Sequence, residues 1–326
     1  MWQRLKTGFR EIWQQLKEHL IDHWHTPYYL SVVLLMTLYL LLNYFLLDQG
    51  TVENWLNRNV DDHHWGTFLF LLFYGLPYYG TLLLYGLWQK DWSWAGKRDF
   101  WIRSLFGLTI LSFDAAFHYY RLVGDLATNF AMRYYLYKVS ATFISVVAIF
   151  LPMWLFWKWY DKEQPHFYGL RLGGFHWPPY LVMLGVMVPI VLAASFLPEF
   201  INYYPTLKLK VVSRIPDVPQ GGLIGLYELF YLLDFVWTEL IFRGFFVIGM
   251  YGVLGPKAVL PMASLYVSRH FAKPMGESIS SMFGGYILGI LAYRSRNILG
   301  GIMIHMGIAF LMEAFALLQW WVRSPS

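Results

Sequence analysis

Ionisable residues are sparse in this chain, and those in its apolar C-terminal third are grouped. Glu228, Asp234, Glu239 and Arg243 follow Gly222 on one apolar stretch. Arg269-His270 closes the next, and His305 sits within the run Gly300-Gly301-Ile302-Met303-Ile304-His305-Met306-Gly307. An ionisable group inside a bilayer costs at least a few kcal/mol unless it is paired or faces water, so each needs a reason. Glu239 and Arg243 are four residues apart, about one helical turn, which allows an ion pair along one face. Glu228 lies eleven residues before Glu239, close to three turns, and shares that face. A carboxylate and two imidazoles from three apolar helices can activate a water for hydrolysis. The acid takes the proton, and the imidazoles polarise, stabilise charge or hold a metal. The plainer reading of a Glu–Arg pair is a structural clamp, and that of a lone His an interhelical hydrogen bond. All three together in one charge-poor region leave both a working site and a structural network open.

The elements that must position these residues are membrane helices. Only 14% of the 326 residues are charged and 57% are hydrophobic, whereas soluble domains carry about 25% charged residues. Aromatics reach 20%, and Trp and Tyr favour the membrane–water boundary, where a ring meets lipid and its polar atom meets water. The net charge of +5 does not point to nucleic acid, because Lys and Arg are scattered between apolar runs. With no cysteine, disulfides and thiolate metal sites are excluded.

Residues 1–26 lack the continuous apolar stretch of a signal peptide. Trp2, Leu5, Phe9, Ile12, Trp13, Leu16, Leu20 and Trp24 instead recur at helical spacing, with Arg4, Lys6, Arg10 and Lys17 among them. That pattern predicts an amphipathic helix on the cytoplasmic membrane surface, a docking helix for a soluble partner being the alternative. Spanning helices of about 20 residues are expected at 28–47, 66–88, 100–120, 139–157, 178–198, 221–250, 257–270, 278–293 and 297–322. That makes nine, or eight if the third, which holds Arg103, Asp114 and His118, only dips in. The 89–99 connector holds Lys90, Lys97 and Arg98, and the 48–65 connector only Arg58 against four acids, so the N-terminus is expected in the cytoplasm. The chain divides near residue 165 into an interfacial helix (1–26), an N-terminal bundle (27–165) and a C-terminal membrane domain (166–326). The polar loop 199–220, with three prolines, is expected to cap one face.

Three motifs of that domain resemble a known family. Trp237-Thr238-Glu239-Leu240-Ile241-Phe242-Arg243-Gly244 is similar to the Glu-Glu-x-x-x-Arg signature of the CPBP family, the CAAX-prenyl-protease and bacteriocin-processing (Abi) proteins. Tyr266-Val267-Ser268-Arg269-His270 resembles its Phe-x-x-x-His motif, and His305-Met306-Gly307-Ile308-Ala309 its His-x-x-x-Asn motif. The resemblance covers about 165–320. It implies transmembrane helices around a polar cavity, in which the first Glu and the second-motif His activate water while the third-motif His and Asn stabilise the oxyanion. Two positions depart from the pattern: the first Glu is Thr238 and the closing Asn is Ala309. Thr238 is no general base at neutral pH, and Ala309 has no side-chain donor.

The expectation is therefore an all-α, polytopic membrane helix bundle, placed in a bacterial inner membrane. Its function is that of a CPBP-type intramembrane endopeptidase of reduced activity, cleaving a peptide near the membrane surface. Glu239 is expected to be the surviving carboxylate, His270 its partner on the water, His305 the oxyanion stabiliser, and Arg243 the group that orients Glu239. Thr238, Tyr266 and Ala309 would line the substrate. If a divalent metal such as zinc is held, Glu239, His270 and His305 are its ligands. Asp234, one turn before Thr238, is a further source of a carboxylate. The expected partners are the bilayer and a membrane peptide or prenylated, lipid-anchored protein, with no nucleic acid. The alternative is an inactive family member serving as a binding or assembly subunit for a partner membrane protein. A third reading, proton-coupled transport through Asp114, His118, Glu228 and Asp234, lacks paired broken helices in corresponding halves.

Overall fold

The computed structural model describes residues 2–46, 51–60, 62–118, 121–164 and 166–323. Among these the chain is helical throughout, with a single isolated bridge between Phe167 and Leu170 in place of any strand. The main helices are α1 (Trp2–His23), α2 (Thr26–Phe45), α3 (Val52–Asn59), α4 (His63–Gln89) and α5 (Arg98–Ala116). They continue with α6 (Phe130–Trp159), α7 (Pro178–Ala194), α8 (Gln220–Glu239), α9 (Val259–Ser268), α10 (Met275–Ser295) and α11 (Leu299–Arg323).

Among the described residues, five helical stretches are long and apolar enough to cross a membrane: α2, α4, α6, the continuous run Gln220–Ser268, and α11. Helix α7 is apolar but shorter. The chain is thus an all-helical integral membrane protein. The expected span 139–157 starts earlier, at Phe130, and contains a π turn at Val146–Phe150 just before Pro152. Proline has no N–H to give to the preceding turn, and a widened turn absorbs that loss.

The Arg103 charge within the expected third span is accounted for. Arg103 bonds Asp99 at 2.8 Å, pairs with Asp161, and donates to the Gly249 carbonyl at 3.2 Å. Tyr168 donates to the same Asp161 at 2.7 Å. The connector after α6 is thereby stitched both to α5 and to the segment that follows Glu239.

Helix α1 packs on α7 and α10. A Cβ at Gly8 would lie 2.9 Å from the Pro179 nitrogen, so glycine permits that approach, and Glu18 pairs with Arg294 at 2.7 Å. Phe9, Trp13, Ile21 and Trp24 remain exposed on α1 and the α1–α2 junction. The side chains of Trp2, Arg4, Leu5 and Lys6, which the sequence pattern includes, lie outside the described residues. The 199–220 segment folds into two short helices, Pro198–Tyr203 and Leu209–Val212. It is tied down by Glu313 of α11, which accepts from the Thr206 amide at 3.0 Å and hydroxyl at 2.6 Å.

Candidate active site

Helix α8 ends on Glu239 and runs directly into a π-helical segment, Leu240–Gly249, all ten residues of which are buried. Gly244 and Gly249 are five apart, one π turn, and both face Tyr168: their Cβ positions lie 3.0 Å from its carbonyl oxygen and 3.1 Å from its ring. The wider register thus turns two glycines to one neighbour, while Arg243 still reaches back one turn to Glu239. π segments of this kind frequently mark functional sites.

Glu239 and Arg243 are completely buried, and Arg243 Nη1 donates to Glu239 Oε1 at 2.8 Å. His305 Nδ1 lies 3.0 Å from the same oxygen, and its Nε2 lies 3.1 Å from the Tyr266 hydroxyl. An ionised Glu239 can only accept, so the His305 proton belongs on Nδ1 and Nε2 then accepts from Tyr266. Carboxylate, imidazole and phenol form one chain across α8, α11 and α9. The Arg243 guanidinium carbon stands 4.1 Å from the centre of the Tyr266 ring, a cation–π contact, and Phe235 packs on the His305 ring at 4.3 Å between centroids. Gly301 makes room for the acid: a Cβ there would sit 2.1 Å from Glu239 Oε2, which itself has no protein partner.

His270 joins the site through its own helix. Its Nδ1 lies 3.1 Å from the Tyr266 carbonyl, one turn back on its own helix, and must donate to it. That leaves Nε2 as a free lone pair. His270 thus touches Tyr266, at 4.6 Å between rings, with Glu239 bonded instead to Arg243 and His305. The metal alternative through Glu239, His270 and His305 does not fit this arrangement. Among the described residues no group of three or more His, Asp or Glu is placed to hold a metal. The physical reason is local: both ring nitrogens of His305 are taken, Nδ1 by Glu239 and Nε2 by the Tyr266 hydroxyl.

Thr238 donates to the Asp234 carbonyl at 3.2 Å, an in-helix bond that takes up its hydroxyl. Ala309 is buried on α11. Asp234 turns away from Glu239, as its offset of five residues on a helix requires. It faces Asp114, Ser145 and Arg269, with Oδ1 unpartnered. Arg269 in turn meets Asp114 at 3.4 Å and the Tyr74 hydroxyl at 3.2 Å. Glu228 also faces α11, but its neighbour there is Glu313. Of the groups of the transport reading, Asp114 and Asp234 therefore adjoin each other, whereas Glu228 adjoins Glu313.

Sequence reasoning passed over Phe235 and the approach of Gly301 to Glu239. Phe235 was findable, since it precedes Glu239 by one turn on the same face. The Gly301 contact depends on how α11 crosses α8, which no local pattern encodes.

Residues 221–311 match the Rce1-like family, described as type II CAAX prenyl endopeptidase Rce1-like, as the three motifs led us to expect of a CPBP member. Comparisons with curated proteins and with solved structures returned no match.

Proposed function

We propose that this chain is an intramembrane endopeptidase of CPBP type, of reduced activity, cleaving a peptide or prenylated protein near the membrane surface. The observation that carries this reading is the chain Glu239–His305–Tyr266, clamped by Arg243, with the free Nε2 of His270 beside it. In the proposed step, His270 Nε2 takes a proton as a water oxygen bonds to the scissile carbonyl carbon. The Tyr266 hydroxyl, swung from His305, donates to the developing oxyanion, and the proton on His270 passes to the leaving amine. Glu239 then acts on the reaction only through His305. We assign the N-terminus to the cytoplasm and eight or nine crossings to the bundle, with 27–165 as its frame. The lysines and arginine of the 89–99 connector support that orientation.

A second reading, an inactive subunit that grips a partner, is favoured by one observation: neither Thr238 nor Ala309 supplies the group the family pattern has there. Reconstituted protein with a prenylated CAAX-type peptide separates the two. Slow cleavage that His270→Ala abolishes supports the peptidase. The pair Thr238→Glu and Ala309→Asn restores a base and a donor, worth about 10²- to 10⁴-fold and about 10²- to 10³-fold respectively. No cleavage by wild type or by this restored form across a peptide library would overturn the peptidase in favour of the binding role.

A further inference from the structure

His270 stands two residues beyond Ser268, the last residue of α9, in a tight turn. Its amide donates to the Val267 carbonyl at 2.9 Å, and its own carbonyl accepts from the Lys273 amide at 2.9 Å. Carbonyls at such a helix end must find partners outside the helix. We infer that Asn43 and Tyr44 of α2 supply them and are positioning residues for His270, an inference that rests on the part given to His270 Nε2 in the proposed peptidase.

Both residues belong to the N-terminal bundle and lie outside the three motifs. Asn43 is 1% exposed in a helix apolar enough to cross a membrane, where a polar side chain needs a reason. Its Nδ2 donates to the Phe271 carbonyl at 3.0 Å. The Tyr44 hydroxyl lies 2.5 Å from the Lys273 carbonyl and 2.8 Å from Ser278 Oγ, which itself lies 2.5 Å from the His270 carbonyl. The two hydroxyl protons suffice for the two carbonyls, Tyr44 giving to Lys273 and Ser278 to His270. The carbonyls of His270, Phe271 and Lys273 thus each receive a side-chain donor, the last two from adjacent residues of α2.

Packing fixes the same turn from the same side. Phe271, the neighbour of His270, is fully buried, and its ring lies 5.2 Å from Tyr39 and 6.3 Å from Tyr44 on α2, and 6.0 Å from Phe73 on α4, between centroids. Glu53 of α3 faces the Ala272 amide and the Arg269 guanidinium. The His270 ring is bound through Nδ1 to the Tyr266 carbonyl, so the direction of Nε2 follows the backbone that carries it. A shift of the turn would carry Nε2 away from the water it deprotonates, and a misplacement of about 1 Å can cost about 100-fold in rate. The plainer reading of Asn43 and Tyr44, as interhelical bonds that only stabilise, predicts no effect on the imidazole itself.

The test uses the full chain in detergent with histidine Cε1 isotopically labelled for NMR. The His270 resonance is identified by its loss in His270→Ala. Asn43→Leu and Tyr44→Phe should each move that resonance by more than its linewidth. Tyr39→Phe is the control: it removes the bond from α2 to the Phe73 carbonyl at 2.6 Å but keeps the ring on Phe271, and should leave His270 in place. With a prenylated CAAX-type peptide, Asn43→Leu and Tyr44→Phe should lower kcat by up to about 100-fold with KM unchanged. If Asn43→Leu does not fold, Tyr44→Phe, which keeps its ring, carries the comparison. An unmoved His270 resonance in the folded variants overturns the inference. An equal movement with Tyr39→Phe also overturns it, by assigning the effect to a general loosening of α2. A moved resonance in a chain that cleaves nothing supports the anchoring of His270 and tells against the peptidase reading alone.

Discussion

Arg243→Ala tests the centre of the site. Arg243 and Glu239 are both buried and meet at 2.8 Å, so the substitution leaves a carboxylate in an apolar interior. Its remaining donor is His305 Nδ1 at 3.0 Å. Removing one partner of a buried ion pair costs about 3–5 kcal/mol. Arg243 is also one of the largest fully buried side chains and packs over Tyr266, so truncation adds a cavity and points to the upper part of that range. At about 2–4 °C per kcal/mol, the melting midpoint in detergent should fall by roughly 6–20 °C. Glu239→Gln combined with Arg243→Met removes both charges while keeping side-chain length, a change often neutral for buried pairs. Its midpoint should stay within about 3 °C of wild type, roughly 1 kcal/mol. Equal midpoints for wild type, Arg243→Ala and the double variant would mean that the two groups do not depend on each other. A double variant as unstable as Arg243→Ala would assign the loss to packing instead of charge.

Gly301→Ala places a Cβ 2.1 Å from Glu239 Oε2 and should destabilise by about 1–3 kcal/mol, whereas Gly222→Ala, with nothing within 4 Å, should leave the midpoint unchanged or slightly raised. A single cysteine at the exposed Gln14 of α1 should react with an impermeant maleimide only when the cytoplasmic face is open; labelling from outside intact cells refutes the orientation. His19, on α1, is pushed down to about 4 by burial, with His23 adding to the shift. The unfolded chain takes that proton first, near the ordinary imidazole value of about 6.5. The stabilisation from a neutral His19 is therefore complete above pH 6.5 and is lost as pH falls towards 4. His19→Phe should flatten the midpoint-versus-pH slope in that window, and an unchanged slope would assign it to other groups.

How much could be read beforehand follows from the range of each interaction. Glu239 with Arg243 was legible because both lie one turn apart on a single helix, and the pair forms at 2.8 Å even though the backbone there has widened to a π register. The apolar runs were legible because a bilayer leaves backbone groups no partner but their own helix. The partition of charges was not. Asp234 and Glu228 share a helix with Glu239, yet one faces Asp114 and Arg269 and the other Glu313. Those partners lie on helices distant in sequence, so the crossing angles decide the matter. His270 makes no direct bond to Glu239 for a local reason: its Nδ1 is satisfied on the carbonyl of Tyr266, one turn back.

Tyr266 is where the departures from the family pattern meet. Where the motif it resembles has a phenylalanine, this chain has a phenol, and its hydroxyl lies 3.1 Å from His305 Nε2. Ala309 has no side-chain donor, and Thr238 spends its hydroxyl on its own helix. The chain therefore lacks an amide donor and a second carboxylate but has gained one hydroxyl, hydrogen-bonded to the imidazole that Glu239 polarises. A phenol so placed can either donate to a ligand oxygen or occupy the imidazole in its absence. Both uses require the tautomer that Glu239 imposes, and Glu239 holds that role only while Arg243 neutralises it. The ion pair, the imidazole and the phenol accordingly form one unit, and loss of Arg243 should be felt at Tyr266 through two routes, the broken cation–π contact and the altered His305 proton.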